Sequence, residues 1–426
     1  MPVPLDVVMV GAGNRGFLAY GPFAVRHPQQ VRFVAVAEPD EGRRARFAET
    51  HGIPPDRRFR SWEDIASRPP LATAAINATM DGAHHPSTLA LLQAGYNLLL
   101  EKPMATSPEQ CVELVRAGRE TGRILQICHV MRYAPFFSAV HDIVRGGRLG
   151  DVVSLDWREN LAYSHYAHSY IRGRWGNSAR SAPMILTKCC HDLDQLIWVL
   201  GRAPRRVASF GALRHFRPEA APSGVPERCT DGCPVADQCQ YYAPRVYLDP
   251  DCAAYQLDSV SIDHSEAAIL EGLRSGPYGR CVYHAGNDVV ENQVVVLDYD
   301  DGLAASLTMQ GASHEEGRTL RIDGTHATLL GNQARNELLL IDHLTGTTET
   351  MYPEVPSSGH GGGDEGVMGS FVAALLGDES RVLTSASESL ESHLLAFAAE
   401  DARRSRRVID MDAYKDELGI ARPEVA

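Results

Sequence analysis

The sequence has little that suits contact with a membrane or with nucleic acid. Its longest apolar runs, such as residues 98–100 and 294–297, fall far short of the ~20 residues that a membrane-spanning helix needs. It has 41 Lys and Arg residues against 54 Asp and Glu residues, so its formal net charge is −13. Phosphate backbones and anionic lipid surfaces repel an acidic chain. We therefore expect neither nucleic acid nor a membrane as a partner.

The sequence also lacks the features of an exported or disulfide-bonded protein. The first residues, MPVPLDVVMVGAG, have no basic segment ahead of an apolar stretch, so we expect no signal peptide. Nine cysteines, an odd number, favour reduced thiols over a disulfide framework. These two features predict a cytoplasmic location.

The overall composition is that of an ordinary globular protein. Hydrophobic residues make up 44% of the chain and charged residues 22%, which allows well-packed cores. At roughly 100–200 residues per domain, a chain of 426 residues is expected to form two or three domains. We expect a soluble enzyme.

The first part of the chain has the pattern of a doubly wound parallel sheet. Short apolar runs alternate with helical segments, which supply the long crossovers that parallel strands require. Strands are predicted at residues 7–10, 31–37, 74–78, 97–100 and 123–128, and helices at residues 41–50, 85–94 and 108–121. The sequence therefore predicts an α/β Rossmann domain over residues 1–130.

The pattern changes beyond residue 130. Strand-like runs separated by short turns predict a large, mostly antiparallel sheet, at residues 152–159, 207–212, 282–285, 292–299, 304–310, 319–323, 327–330 and 337–342. Helices are predicted at residues 133–146, 191–200, 365–376 and 387–404. We therefore predict an α+β domain for substrate binding and oligomerisation over residues 131–426. A segment rich in Pro and Cys, at about residues 218–258, is predicted to be an insertion into it.

A glycine-rich turn follows the first predicted strand. Residues 11–16 have the G-x-G-x-x-G pattern of dinucleotide-binding turns, in which backbone N–H groups at a helix N-terminus contact the pyrophosphate. An acidic residue, Glu38, ends the second strand 22 residues beyond Gly16. Its carboxylate suits the ribose hydroxyls of NAD and disfavours the 2′-phosphate of NADP. The predicted cofactor is therefore NAD, held by Gly11, Gly13, Asn14, Arg15, Gly16 and Glu38.

Four further motifs give the chain a family resemblance. They are Thr79-Met80-Asp81-Gly82-Ala83-His84, Glu101-Lys102-Pro103, residues 129–135 (HVMRYAP), and His191 three residues before Asp194 in an amphipathic helix. With the glycine-rich turn, they make essentially the full chain resemble the Gfo/Idh/MocA family, named for glucose–fructose oxidoreductase and inositol dehydrogenase. The resemblance implies an NAD-dependent reaction on a sugar or cyclitol hydroxyl, in a homodimer or homotetramer.

The resemblance also implies roles for particular residues. Lys102 is expected to bridge the cofactor ribose and the reacting hydroxyl, and His191 to act as the general base. Lys102 and His191 are also expected to bind the cofactor and the substrate, respectively. The remaining implied contacts are Tyr133 to the substrate, and to the cofactor Thr79, His84, Glu101 and Arg132.

Two positions depart from the family pattern. Met80 replaces the usual proline, and Thr187 replaces an aspartate four residues before the catalytic histidine. Lys188 lies one helical turn before His191 and is the candidate to take the place of that aspartate, as a catalytic and substrate-binding residue.

Two loops are candidates for the substrate pocket. Arg172, Arg174 and Trp175 precede the catalytic helix, and forked guanidinium donors beside an aromatic ring suit a polar or anionic sugar. A plain surface loop is the alternative. The second loop, residues 359–364, has the sequence GHGGGD, in which His360 is placed to reach a substrate hydroxyl. A flexible linker is the alternative there.

Four cysteines lie in the predicted insertion. Thiolates close together in a short loop can form a tetrahedral zinc site that stabilises a segment with little core of its own. The spacing is not the paired C-x-x-C pattern, so free thiols and an iron–sulfur cluster stay open as alternatives. The predicted structural zinc ligands are Cys229, Cys233, Cys239 and Cys252.

Three functions fit these motifs. The first is hydride transfer between NAD and a ring hydroxyl of a sugar or cyclitol. The second is an NAD-dependent glycoside hydrolase, which oxidises C3 transiently, eliminates the aglycone and adds water. An anionic glycoside such as a sulfoquinovoside would suit the Arg and Lys residues. The third is a non-catalytic NAD-binding sensor, against which the presence of Lys102 and His191 argues.

Overall fold

The first of two β-sheets lies in the N-terminal part of the chain. The computed structural model describes residues 3–356 and 359–420. Six strands form this sheet: β1 (Leu5–Val10), β2 (Val31–Ala37), β3 (Arg58–Phe59), β4 (Ala74–Asn77), β5 (Asn97–Leu100) and β6 (Leu125–Ile127). They are all parallel, in the order β3-β2-β1-β4-β5-β6. This arrangement confirms the predicted Rossmann fold.

Helices connect these strands and cover both faces of the sheet. They are α1 (Gly21–Arg26), α2 (Glu41–Thr50), α3 (Trp62–Ala66), α4 (Asp81–Gln93) and α5 (Pro108–Thr121). Local signals fix several ends. Asp40 accepts a hydrogen bond from the backbone N–H of Arg43 at the start of α2, and Gly122 ends α5 in a left-handed conformation with φ 61°.

The second sheet has nine strands. They are β7 (Val152–Ala162), β8 (Arg206–Ala212), β9 (Asn292–Asp298), β10 (Ala304–Ser313), β11 (Gly317–Gly324), β12 (Ala327–Asn332), β13 (Glu337–Asp342), β14 (Thr348–Met351) and β15 (Ile409–Asp410). Their order is β14-β13-β12-β11-β7-β10-β9-β8-β15, and every pair except β7–β10 is antiparallel. The predicted large antiparallel sheet is confirmed.

One predicted strand is wrong. Residues 282–285 form a turn, in which the N–H of His284 donates to the carbonyl of Cys281. Val282 and Tyr283 are buried, which accounts for their apolar character without a strand partner. Burial alone gives a short apolar run that sequence periodicity cannot distinguish from a strand.

Ten helices are described in the second half of the chain. They are α6 (Pro135–Arg145), α7 (Tyr163–Tyr166), α8 (Met184–Thr187), α9 (Cys190–Leu200), α10 (Ala243–Tyr247), α11 (Ala254–Val260), α12 (Glu266–Ser275), α13 (Gly363–Leu375), α14 (Ala386–Ser405) and α15 (Met411–Glu417). The helix α14 contacts α9, β8 and the Rossmann helix α5, so it joins the two halves.

The chain between β8 and β9 forms the insertion, residues 213–291. It contains α10, α11 and α12 and has a small apolar cluster separate from the main core, made of Cys229, Ala243, Tyr247, Ile269 and Leu273. The predicted insertion, at about residues 218–258, lies within this segment, which also contains α12 and the turn after it. Within residues 3–356 and 359–420, no helix is long and apolar enough to cross a membrane.

Candidate active site

The glycine-rich turn after β1 has the shape of a dinucleotide-binding turn. Gly11 has φ 91°, and a side chain there would place its Cβ 2.4 Å from the carbonyl oxygen of Ala78. A Cβ added to Gly16 would lie 2.1 Å from the oxygen of Gly11, whereas a Cβ on Gly13 would meet nothing within 4 Å. The backbone is therefore tightly folded on its inner side and open where phosphates approach, which fits NAD.

Glu38, the predicted ribose ligand, follows β2 and contacts this turn. Its carboxylate is buried and accepts hydrogen bonds from the backbone N–H groups of Ala12 (2.8 Å) and Asp40 (3.1 Å). These contacts fix the carboxylate beside the turn at the end of β2. Arg44 on α2 donates to the carbonyl of Glu38, 2.6 Å away.

A buried carboxylate anchors the segment that carries Lys102. Glu101 accepts hydrogen bonds from the guanidinium of Arg15, from the hydroxyl of Tyr20 and from the N–H of Lys102. Burial favours the neutral carboxyl, but Arg15 and Lys102 outweigh it and hold the pKa of Glu101 below its usual range. Arg15 and Glu101 thus form a charged pair between the glycine-rich turn and the end of β5.

Lys102 is oriented by a backbone carbonyl. Its Nζ donates to the carbonyl oxygen of Thr187 at 2.7 Å, so this carbonyl occupies the role expected of the absent aspartate. Lys188, the predicted substitute for that aspartate, has its Nζ 3.4 Å from Glu159 and 3.8 Å from Glu316. The two carboxylates draw the Lys188 ammonium to the second sheet.

His84 and Thr79 hold the loops around Lys102. The ring nitrogens of His84 lie 2.6 Å from the carbonyl oxygen of Pro103 and 3.1 Å from that of Thr79. The Thr79 hydroxyl donates to the side chain of Asn77 at 2.8 Å. Both side chains thus hydrogen-bond to protein groups at the ends of β4 and β5.

His191 lies near Lys102, at the start of α9. It is buried, and its Nδ1 has no hydrogen-bond partner among the described residues. Burial, then the charges of Lys102, His129 and His360, hold its pKa well below the usual range. His191 is therefore a neutral ring that can accept a proton.

A charge network beneath His191 fixes α9. Asp192, the next residue, accepts hydrogen bonds from the indole of Trp157 (2.9 Å) and from Nε of Arg318 (3.0 Å). Arg318 also pairs with Glu159. Glu159 lies on β7 and Arg318 on β11, and sequence spacing did not indicate this network because Arg318 is 126 residues from Asp192.

The loop before α13 brings another histidine to the site. The rings of His360 and His191 are 6.2 Å apart between centroids. Nδ1 of His360 lies 3.1 Å and 3.2 Å from the two carboxylate oxygens of Asp364, which also accepts from Arg15. The glycine-rich turn, Lys102, His191 and His360 are thus linked around one space.

Arg132 and Tyr133 are placed away from that space. Arg132 is buried and donates two 2.7 Å hydrogen bonds to Asp194 and a third to the carbonyl of Leu383. The Tyr133 hydroxyl accepts from Gln126 and from the N–H of Leu383. These contacts join the end of the Rossmann sheet to the C-terminal helices.

The predicted substrate loop divides into a buried and an exposed part. Arg172 is buried and donates to the carbonyls of Arg280 (2.8 Å) and Tyr241 (2.5 Å), so it stabilises the insertion. Arg174 is exposed and stacks on Trp175, whose indole donates to Asp81 at 2.8 Å. Only Arg174 and Trp175 therefore lie beside the turn after β4.

The predicted zinc ligands do not form a metal site. Among residues 3–356 and 359–420, no group of three or more His, Cys, Asp or Glu side chains is arranged to hold a metal ion. Cys252 lies by α11, where its thiol contacts Gln256, whereas Cys229 accepts a hydrogen bond from Arg172. The zinc prediction is therefore not supported, and Arg172 supplies the cross-links that it assigned to a metal.

The insertion reaches over to the Rossmann half beside the glycine-rich turn. The Asn14 amide donates to the carbonyl of Tyr255 (3.0 Å) and to the hydroxyl of Ser259 (3.3 Å). Arg46 on α2 donates to both oxygens of the Asp258 carboxylate, at 3.2 Å and 2.9 Å. The helix α11 thus contacts the glycine-rich turn and α2.

Comparison with known proteins agrees with this arrangement. The Gfo/Idh/MocA oxidoreductase family, described as having an NAD-binding Rossmann fold, matches residues 5–129, and its C-terminal alpha/beta domain matches residues 142–411. The chain belongs to this family. It is accordingly an NAD-binding oxidoreductase.

Individual Gfo/Idh/MocA relatives are distant. The protein YteT of Bacillus subtilis is 27% identical over 304 residues, 68% of this chain and 69% of its own length. The 1,5-anhydro-D-fructose reductase of Ensifer adhaerens is 28% identical over 184 residues, so the match spans 43% of this chain and about half (53%) of that enzyme. A structure of levoglucosan dehydrogenase with NADH and levoglucosan superposes with a TM-score of 0.70 at 15% identity, covering 96% of this chain and 99% of that one. That likeness shows the fold.

Proposed function

We propose that the protein transfers a hydride between NAD and a hydroxyl-bearing ring carbon of a sugar or cyclitol. The observation that carries the proposal is the placement of Lys102 and His191. Nζ of Lys102 donates to the carbonyl of Thr187, four residues before the buried His191 at the start of α9. Support for the substrate class comes from relatives named as a 1,5-anhydro-D-fructose reductase and a levoglucosan dehydrogenase.

The residues of the chain divide the work of this reaction. NAD, when bound, supplies the group that takes the hydride from the carbinol carbon. Lys102 donates a hydrogen bond from Nζ to the substrate hydroxyl oxygen and holds it in place. His191 accepts the hydroxyl proton, which its neutral ring allows. The ion pair between Arg15 and the buried Glu101 fixes the position of the Lys102 backbone relative to the glycine-rich turn.

The test is a substrate panel with two active-site variants. Free sugars, myo-inositol, levoglucosan and chromogenic glycosides are each incubated with NAD, and NADH is followed by absorbance. We expect NADH in stoichiometric amounts with at least one free ring alcohol. Lys102→Ala and His191→Ala should each lower kcat by about 10³-fold and leave the Kd of NAD within threefold, since general acid–base groups contribute about 10²–10⁴-fold.

The matched control is Lys415→Ala, which removes a lysine on α15 that pairs with Glu391. It should keep full turnover. If the Lys102 and His191 variants also kept full turnover, or if no ring alcohol reduced NAD, the proposal would be wrong.

A second candidate function is favoured by His360. Net dehydrogenation needs one group to take one proton, whereas a glycoside hydrolase that oxidises C3, eliminates the aglycone and adds water needs further proton transfers. A second histidine lies 6.2 Å from His191, centroid to centroid. The same panel separates the two functions. Aglycone release without net NADH, with deuterium from solvent incorporated at C2, would identify the hydrolase. Sulfoquinovosides are included in the panel as anionic glycosides.

We also propose that the protein is a cytoplasmic homodimer or homotetramer. Phe210 on β8 is 67% exposed, beside Val294 and Val296 on β9, which are 37% and 43% exposed. An apolar patch across neighbouring strands suits a second copy of the chain. Light scattering on the eluting protein tests this, and a monomer of 46.5 kDa at micromolar concentration would contradict it.

A further inference from the structure

We propose that His360 and Asp364 form a second acid–base pair in the active site, in which His360 exchanges a proton with the substrate and Asp364 orients the ring. The inference rests on the proposed function, because it deepens the chemistry of the same site. It assigns a catalytic role to a loop whose sequence, GHGGGD, left a flexible linker open as an alternative.

The hydrogen bonding of His360 fixes which ring nitrogen is available. Nδ1 lies 3.1 Å and 3.2 Å from the carboxylate oxygens of Asp364, a residue that is 3% exposed. Burial favours the neutral acid, but Arg15 and His360 outweigh it and hold the pKa of Asp364 well below its usual range. A charged carboxylate only accepts hydrogen bonds, so the contact with Asp364 favours a proton on Nδ1; the Arg15 guanidinium, a donor, lies farther from this nitrogen, at 3.5 Å.

The other nitrogen, Nε2, is then left with its lone pair. Among the described residues, no group hydrogen-bonds to it, and the His360 side chain is 39% exposed. The ring faces His191 at 6.2 Å between centroids, so a substrate held by Lys102 and His191 would lie within reach of it. A histidine held at Nδ1 by a carboxylate, with Nε2 facing the reactant, is the arrangement of the general base in hydrolytic triads.

His191 lacks this support. Its Nδ1 is buried without a partner, and the residue four positions earlier is Thr187, not an aspartate. A lone buried ring accepts a proton but has no anion beside it to stabilise the imidazolium. Of the two histidines that face this space, His360 alone has a carboxylate partner.

The loop is built to hold His360 in place. His360 has φ 53°, an uncommon conformation for a residue with a side chain, and Gly361 and Gly362 follow with φ 62° and 97°. A Cβ on Gly359 would lie 2.3 Å from the Asp364 carboxylate, and one on Gly363 would lie 2.3 Å from the carbonyl oxygen of Val130. The glycines therefore permit close packing, and strain of this kind persists where the surroundings impose it.

The proton balance of the step is simple. In the elimination of the second candidate function, Nε2 takes the proton from C2, whose bonding pair forms the C1–C2 double bond while the bond from C1 to the aglycone oxygen breaks with its pair on that oxygen. The resulting imidazolium is stabilised by Asp364, and it gives the proton to the departing oxygen. The hydroxyl proton and the hydride are handled separately, by His191 with Lys102 and by NAD.

Two variants test the catalytic role. With the panel compound that the wild type turns over fastest, His360→Gln should lower kcat about 100-fold and leave the Kd of NAD within threefold. Imidazole added to His360→Ala should raise the kcat of that variant at least tenfold. His27→Gln is the matched control, since His27 pairs with Glu365 outside this space, and it should keep full activity. Full kcat in His360→Gln would overturn the inference.

The orientation is tested without turnover. Nitrogen-15 spectra of the histidine rings in the NAD-loaded protein should show the proton of His360 on Nδ1. In Asp364→Asn the proton should shift toward Nε2, a change that a purely structural aspartate would not cause. A proton on Nε2 in the wild type would overturn the inference. If no panel compound reduces NAD, the proposed function fails, and these spectra still decide the pair.

Discussion

The Rossmann half and the insertion are held together in different ways. In the Rossmann half, glycines at fixed positions, a helix cap and buried parallel strands determine the nucleotide turn. In the insertion, a five-residue apolar cluster is supplemented by polar contacts to distant parts of the chain, such as Arg172 to Tyr241 and Arg46 to Asp258. The comparison shows that short motifs report local backbone geometry, whereas an insertion with little core depends on tertiary polar contacts.

The largest expected effect follows from removing Arg172. Its guanidinium donates to the carbonyls of Arg280 and Tyr241 and to the thiol of Cys229. Arg172→Met leaves buried acceptors without a donor, which should cost about 3 kcal/mol of unfolding free energy. Urea denaturation measures this, and limited proteolysis should cut residues 213–291 faster. Arg174→Met, which removes an exposed guanidinium, should change stability by less than about 0.5 kcal/mol. Equal effects from the two variants would contradict the contrast.

The sequence was informative where function depends on local geometry. The spacing of Gly11, Gly13 and Gly16 predicted the turn, because a Cβ at Gly11 or Gly16 would collide with the backbone. The partner of Lys102 was not predictable, because it is the backbone carbonyl of Thr187, 85 residues away, and any residue type supplies a carbonyl.

The arginines that precede α8 and the cysteines of the insertion show a second limit. A buried structural arginine and a substrate-binding arginine look alike in sequence, and only the burial of Arg172 distinguishes it from Arg174. Four cysteines near one another in sequence, from Cys229 to Cys252, suggested a metal, but folding separates Cys252 onto the side of α11. Asp364 was visible in its motif, yet its pairing with Arg15 depends on the approach of two distant elements.

The Rossmann side of the comparison is sharpened by cofactor choice. Glu38 is buried and already accepts two backbone hydrogen bonds, so a 2′-phosphate would place like charges together. NAD should therefore bind at least tenfold more tightly than NADP, and Glu38→Ser should reduce that preference by about tenfold or more. Titration of the protein with both nucleotides measures it. Asp6→Ser, at the start of β1, is a control, and equal wild-type affinities would mean that an arginine such as Arg43 governs the ribose end.

The contact between the two regions is expected to slow cofactor release. The helix α11 is tied to Asn14 in the turn and, through Asp258, to Arg46 on α2. Asp258→Asn weakens the second tie, so the dissociation rate of NADH should rise about tenfold. A fluorescence chase with excess NAD measures the rate. Asp263→Asn, which changes an exposed carboxylate nearby, should leave it unchanged. A rate unaffected by Asp258→Asn would show that the insertion does not restrain the cofactor.

The smallest expected effect concerns the unfolding free energy at low pH, through the contact of His168 with the insertion. His168 is 4% exposed, stacks on Tyr278 and bonds to the hydroxyl of Tyr247. Burial, then the charges of His165 and Arg172, lower its pKa from 6.5 to about 3. The folded state thus disfavours the protonated ring, so the stability from His168 is complete above about pH 6.5 and declines as the pH falls toward 3.

The expected loss is about 1.4 kcal/mol per pH unit below the unfolded pKa. Between pH 7.5 and 5.5, the unfolding free energy of the wild type should therefore fall by about 1.4 kcal/mol more than that of His168→Gln. His314→Gln, which removes an exposed histidine, should keep the wild-type slope. Because His51 in the Rossmann half also has a lowered pKa, of about 4, the His168 variant should retain part of the acid sensitivity. If His168→Gln had the wild-type slope, the ring would be protonated in the folded protein, and its packing against Tyr278 in the insertion would be looser than the contact distances indicate.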